Sequence, residues 1–210
     1  MQPLVLFDID RTLFDTDKFH TLYISEFLPV LKNISVAEFE TARKIYSSRL
    51  TVSTDFLPAD YLKHLAEYFS VPYSQLRRKY YLENNFLSAV FPDVVPCLTQ
   101  LSANYTLGIF SEGFPSFQTA KLKKSHLLHF FASEFTAIHR RKLNYKTLKK
   151  NPPGTFIIDD KPEVILAIST FSDLKLIGIL LDRHSRFSSP HRITSLFQLP
   201  ALLQQLSVPD

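Results

Sequence analysis

Five short apolar runs, each ending directly in polar or charged residues, recur along the chain at Pro3 to Phe7, Thr106 to Phe110, Glu134 to Ile138, Thr155 to Ile158 and Leu174 to Leu181. Runs this short and this continuously apolar suit strands buried on both faces. Between several of them lie helical patterns, at Val94 to Leu101, Ser116 to His126 and Lys161 to Thr170. Strands alternating with helices predict an α/β fold, a parallel sheet with helices on both faces. At 210 residues, 45% of them apolar and 13% aromatic, the chain can fill such a core.

One stretch breaks the alternation. From about Asp17 to Leu87 there is no strand signal, and amphipathic helical patterns follow one another. Phe19, Leu22, Tyr23, Phe27 and Val30 share one helical face, and Ser35 with Glu38 has capping-box spacing ahead of Phe39, Ala42, Ile45 and Tyr46. Two more helices are predicted, Ala59 to Phe69 and Ser74 to Leu82, separated by Pro72. The organisation expected is an α/β core of residues 1–15 and 89–210, with a helical unit of residues 16–88 inserted after the first strand. The tail Leu199 to Asp210, terminal and carrying two prolines, is expected to fray.

Charge and composition exclude several roles. The net charge of +4 and pI near 9.1 come largely from Lys121 to Lys124 and Arg140 to Lys150. These clusters are taken as solvated basic faces, since neither is interleaved with aromatics as a single-strand platform would be, and nucleic acid is not an expected partner. The only cysteine, Cys97, permits no intrachain disulfide. Asp8 and Asp10 interrupt the first apolar run, and no stretch of about 18 apolar residues occurs, so neither a signal peptide nor a membrane span is expected, and the cytoplasm is the simplest address. The seven histidines are scattered, which disfavours a histidine-based zinc site.

The acidic residues are where chemistry concentrates. Asp8 and Asp10 stand two apart just beyond the first strand, at the sheet edge where open α/β folds place their sites. Carboxylates this close repel unless a cation or shared proton intervenes, and a hard divalent ion such as magnesium is the natural solution. Asp159 and Asp160 form a second pair at the end of another strand, so Asp8, Asp10, Asp159 and Asp160 are the candidate metal ligands. Ser111, followed by Glu112, comes directly after the strand ending at Phe110, and its hydroxyl either faces the same edge or caps the next helix. Lys142 follows the strand ending at Ile138 and is the candidate cation for phosphate oxygens, with Lys146 and Lys161 as rivals.

Acid, hydroxyl, lysine and acid falling in this order at four strand ends resemble the haloacid dehalogenase-like superfamily. Its first motif, an aspartate pair spaced by one residue and then threonine, is matched by Asp8, Asp10 and Thr12; its second by Ser111, its third by Lys142 and its fourth by Asp159 and Asp160. Arg11 departs from the glycine that many relatives carry there. The resemblance implies a magnesium-dependent phosphatase in which Asp8 is the nucleophile and Asp10 the proton carrier. Thr12, Ser111, Glu112 and Lys142 would then join Asp8 around the phosphate, and magnesium would lie on Asp8, the Asp10 backbone carbonyl and Asp159, with Asp160 and Glu163 as further candidates.

Asp10 favours phosphoryl chemistry, because the true dehalogenases generally lack this acid. The long interval between Thr12 and Thr106 resembles the helical cap of the phosphoglycolate phosphatase-like subclass, and Ser111 to Lys142 is too short for a second cap. A small phosphorylated metabolite is the expected substrate, acted on by a monomer or weak homodimer. A phosphomutase or a non-catalytic binding module on the same fold stays open on motifs alone.

Overall fold

The computed structural model describes residues 2–31 and 34–207. Strand β1 (Leu4–Phe7) lies at the centre of a six-stranded, all-parallel sheet of order β3-β2-β1-β4-β5-β6. Its neighbours are β2 (Thr106–Glu112) and β4 (Phe156–Asp159); β3 (Thr136–His139) flanks β2, and β5 (Ile177–Leu181) and the short β6 (Arg192–Ile193) complete the other side. All four residues of β1 are buried, which is why its sequence reads as a continuous apolar run. The strand period of two divides them: Val5 and Phe7 join the larger core, Leu4 and Leu6 a smaller one. The α/β reading therefore holds, with helices on both faces.

Between β1 and β2 the α-helices among the described residues are α1 (Thr16–Leu31), α2 (Val36–Ser47), α3 (Pro58–Tyr68), α4 (Tyr73–Tyr80), α5 (Glu83–Ser88) and α6 (Val94–Leu101). The capping box at α2 is present, with Glu38 N–H donating to Ser35 Oγ at 3.2 Å and Ser35 N–H to Glu38 Oε2 at 2.8 Å. Phe19, Tyr23, Phe27, Phe39, Tyr61 and Tyr80 pack ring on ring inside this unit. The remaining helices are α7 (Pro115–Lys124), α8 (Tyr145–Leu148), α9 (Pro162–Thr170) and α10 (Leu199–Ser207).

Several boundaries differ from the sequence expectation. β2 runs on through Ser111 and Glu112, because β3 pairs Ser111 with Ile138 and Glu112 with His139. Glu134 belongs to a 3-10 turn before β3, and the strand expected from Leu174 begins only at Ile177, after Lys175 turns the chain in the left-handed region (φ 51°). Most of the tail does not fray. Leu199 and Leu203 of α10 are buried, and the helix packs on α6; residues 208–210 lie outside the described part. Among the described residues no helix is long and apolar enough to cross a membrane.

Candidate active site

The site forms where β1, β2 and β4 end side by side. β1 delivers Asp8, whose backbone N–H still bonds to the Ile158 carbonyl at 2.9 Å. β4 delivers Asp159, and Asp160 follows it. One carboxylate oxygen from each of Asp8, Asp159 and Asp160 lies within 4.8 Å of the others. Lys142 comes from the loop after β3 and is fully buried; its Nζ donates to Asp8 Oδ1 at 2.7 Å, to Asp159 Oδ2 at 2.5 Å and to the Phe110 carbonyl at 3.3 Å. Of the three rival lysines, Lys142 is the one whose side chain contacts the acids. Lys146 is exposed on α8, whereas Lys161 lines the cavity and gives its backbone N–H to Asp159 Oδ1 at 3.0 Å.

The electrostatics are those of a site short of positive charge. Burial pushes Asp160 up to about 7, reinforced by Asp159 and Asp8 against Lys161 and Arg11. Burial and Asp8 also raise Asp159, even though Lys142 pulls it down. Burial would lower Lys142, yet the two carboxylates beside it raise it, so it stays an ammonium. Asp160 Oδ1 is buried and has no hydrogen-bond partner among the described residues. Three hard oxygen donors, one orphaned oxygen and a single ammonium fit a divalent cation of the magnesium type.

Asp10 does not belong to this cluster by its side chain. Its carboxylate turns towards α7, where Lys121 Nζ donates to Oδ1 at 2.5 Å and Gln118 Nε2 to Oδ2 at 2.7 Å, while Thr16 Oγ1 donates to Oδ1 at 2.6 Å. Burial raises this carboxyl, but Lys121, Gln118 and Thr16 outweigh it and hold it down at about 2. As a metal ligand, then, Asp10 is corrected to its backbone carbonyl at most. Lys121 is likewise no part of a solvated face: it is 3% exposed, with its ammonium over the Phe117 ring at 4.6 Å.

The other predicted residues have distinct places. Thr12 and Ser111 are buried, and neither Oγ has a hydrogen-bond partner among the described residues. Glu112 Oε1 accepts the Lys142 backbone N–H at 3.3 Å; a carboxylate has no proton to give a phosphate oxygen, so its side chain serves the Lys142 loop. Arg11 adopts φ 59°, the left-handed conformation that glycine takes freely, and pairs with the exposed Asp17 at 3.0 Å. A cavity of about 740 Å³ opens over Asp8, Asp10 and Asp160 and is walled on its far side by Arg43, Ser47 and residues 50–54 of the helical insert.

Sequence reasoning missed Gln118 and Lys121, although their spacing of three puts them on one face of the helix that opens just after Ser111. It also missed Arg183, which donates to Asp93 at 2.8 and 3.0 Å and to the Thr12 carbonyl at 3.0 Å, bracing the loop that carries Asp10 from behind.

Similar solved structures include a haloacid dehalogenase-like hydrolase from Burkholderia xenovorans (18% identity, TM-score 0.70, all of both chains covered). The HAD-hydrolase YfnB from Bacillus subtilis, bound to magnesium, matches at 17% identity and TM-score 0.62 over 96% of this chain and 98% of its own. L-2-haloacid dehalogenase from Xanthobacter autotrophicus, with chloropropionic acid covalently bound, matches at 15% identity and TM-score 0.62 over 97% and 99%. At these identities they show the fold alone. No curated protein matches the chain. The model of the haloacid dehalogenase-like hydrolase family matches residues 5–143, more than half of the chain. The chain belongs to the haloacid dehalogenase-like hydrolase family.

Proposed function

We propose that this hydrolase is a magnesium-dependent phosphatase acting on a small phosphorylated metabolite, with Asp8 as nucleophile and residues 16–88 as a cap over the cavity. The observation that carries the reading is the trio Asp8, Asp159 and Asp160, within 4.8 Å of one another and served by one lysine. Displacing a halide from carbon needs neither a divalent cation nor an acid in the place of Asp10. Magnesium, held by Asp8, Asp159 and Asp160, would neutralise charge on the phosphate oxygens.

An Asp8 oxygen attacks phosphorus, the ester P–O bond breaks, and the departing oxygen takes its electron pair and a proton handed on by Asp10. Asp10 is ionised at rest, so that proton arrives with a substrate bound as its monoanion. A water then attacks the aspartyl-phosphate and gives a proton to Asp10, the P–O bond to Asp8 breaks, and inorganic phosphate leaves. Lys142, which donates to Asp8 Oδ1, stabilises charge on the transferring group. Thr12 and Ser111, buried hydroxyls without protein partners, are suited to orient its oxygens. Exclusion of water by the insert protects the intermediate.

A panel of phosphorylated metabolites with magnesium present tests this. Free phosphate should appear, vanish with chelator, and fall by at least about 10³-fold in Asp8→Asn. Halide release from haloacids with no phosphate release from the panel would overturn the reading.

A further inference from the structure

Lys121 is a buried cation with no part in the chemistry above. Its ammonium sits over the rings of Phe117 and Phe14, 4.6 and 5.4 Å from their centroids, and its hydrogen-bond partner among the described residues is Asp10. Gln118 completes the grip from one turn earlier on α7, its amide donating at 2.7 Å to the other Asp10 oxygen and at 2.9 Å to the Glu112 carbonyl. Thr16, the first residue of α1, donates from the insert. A buried ion pair is rarely worth more than an apolar replacement of its own volume, so stability does not account for a lysine here.

Its effect on Asp10 does. Asp10 lies two residues from Asp8, close enough that a carboxylate free to rotate would be drawn to any cation held by Asp8, Asp159 and Asp160. The opposing charge of Lys121 holds it on the α7 side, leaving three carboxylates for metal and one for protons. We propose that Lys121, assisted by Gln118, is a positioning residue for Asp10, fixing its carboxylate for proton transfer to the leaving oxygen and from the attacking water. This rests on the reading of Asp10 as proton carrier. Lys121 itself touches no reacting atom.

In the first step, positioning of a proton donor matters only where the leaving group needs a proton, and that supplies the test. Leaving-group release in a single turnover, which precedes the water attack common to all esters, is compared for dinitrophenyl phosphate, whose leaving group departs as a stable anion, and glycerol phosphate, whose alkoxide must be protonated. For Lys121→Met, the single-turnover release rate on glycerol phosphate should fall about 10²-fold while that on dinitrophenyl phosphate falls less than about threefold. Lys121→Arg, which keeps the charge, should recover to within about tenfold of the parent on glycerol phosphate, and Gln118→Leu should repeat the selective loss more weakly, about fivefold. Equal losses on both esters, or no loss on glycerol phosphate, would overturn the proposal. Should Lys121→Met not fold, Gln118→Leu and Lys121→Arg decide it by the same ratio of the two esters. Where the parent does not turn over glycerol phosphate, the alkyl phosphate of the metabolite panel that it hydrolyses fastest takes its place, and a parent that hydrolyses neither dinitrophenyl phosphate nor any member of the panel overturns the phosphatase reading instead, and this inference with it.

Discussion

Lys142 carries a heavy duty for a single side chain, since it is fully buried and, among the described residues, its ammonium is the one ion-paired with Asp8 and Asp159. Truncation to Lys142→Ala leaves an acidic cluster with no buried cation, which should cost about 3–5 kcal/mol in urea unfolding with chelator present. Magnesium should restore part of that loss, whereas Lys146→Ala at an exposed position should stay within about 0.5 kcal/mol of the parent. A second residue-scale prediction concerns Asp93. Burial pushes its carboxyl up, but Arg183, Ser195 Oγ at 2.6 Å and the Leu196 N–H at 2.8 Å bring it below the usual range. A carboxyl lowered in the folded state adds stability above its unfolded value, about 3.9, and loses it as pH falls through the folded value. The melting temperature of Asp93→Asn should therefore lie well below the parent at pH 7 and approach it in acid, and a gap that stays constant with pH would contradict this.

Among elements, the contact between the insert and the loop after β3 has the clearest consequence. Arg140 donates to the Thr54 carbonyl at 2.9 Å and to Asp55 Oδ1 at 2.6 Å, with its guanidinium 3.7 Å from the Phe114 ring centroid. Arg141 reaches the same carboxylate at 3.2 Å. The 3-10 turn Ser53–Asp55, part of the cavity wall, is thus clasped to the segment that delivers Lys142. These pairs are half exposed, so the effect expected is modest: Asp55→Asn should raise KM about two- to fivefold at low salt, and added salt should raise the parent's KM towards the variant's. Four helices of the insert were legible because their apolar positions follow the 3.6-residue period and α2 announces its start with Ser35 and Glu38, whereas the six-residue α5 is too short to show a period. The four acids were legible because strand ends are sharp transitions from apolar to polar. The direction of the Asp10 carboxylate was not, for it depends on Lys121, distant in sequence, and no local pattern relates the two. The tail misled for a similar reason: Pro200 lies in the first turn of α10, where a missing N–H costs nothing.

For the whole molecule, every part of the site hangs on a sheet whose first strand is its middle. β6, the 3-10 turn after it and α10 bury Ile193, Leu196, Leu199 and Leu203, and Ser195 with Leu196 closes the ring of donors on Asp93. Burial of side chains of this size is worth about 1.5–3 kcal/mol each. A chain ending after Leu181 keeps Asp8, Asp10, Ser111, Lys142, Asp159 and Asp160 yet should fail to fold, giving a broad, non-cooperative melt by circular dichroism and no phosphate release. Because Arg183 also grips the Thr12 carbonyl, the loop bearing Asp10 is braced by a residue 171 positions further along the chain. On the ribosome the nucleophile therefore emerges well before the residues that set its loop in place. An interrupted chain holds the acids of a hydrolase without their geometry, and so reaches the cell inert.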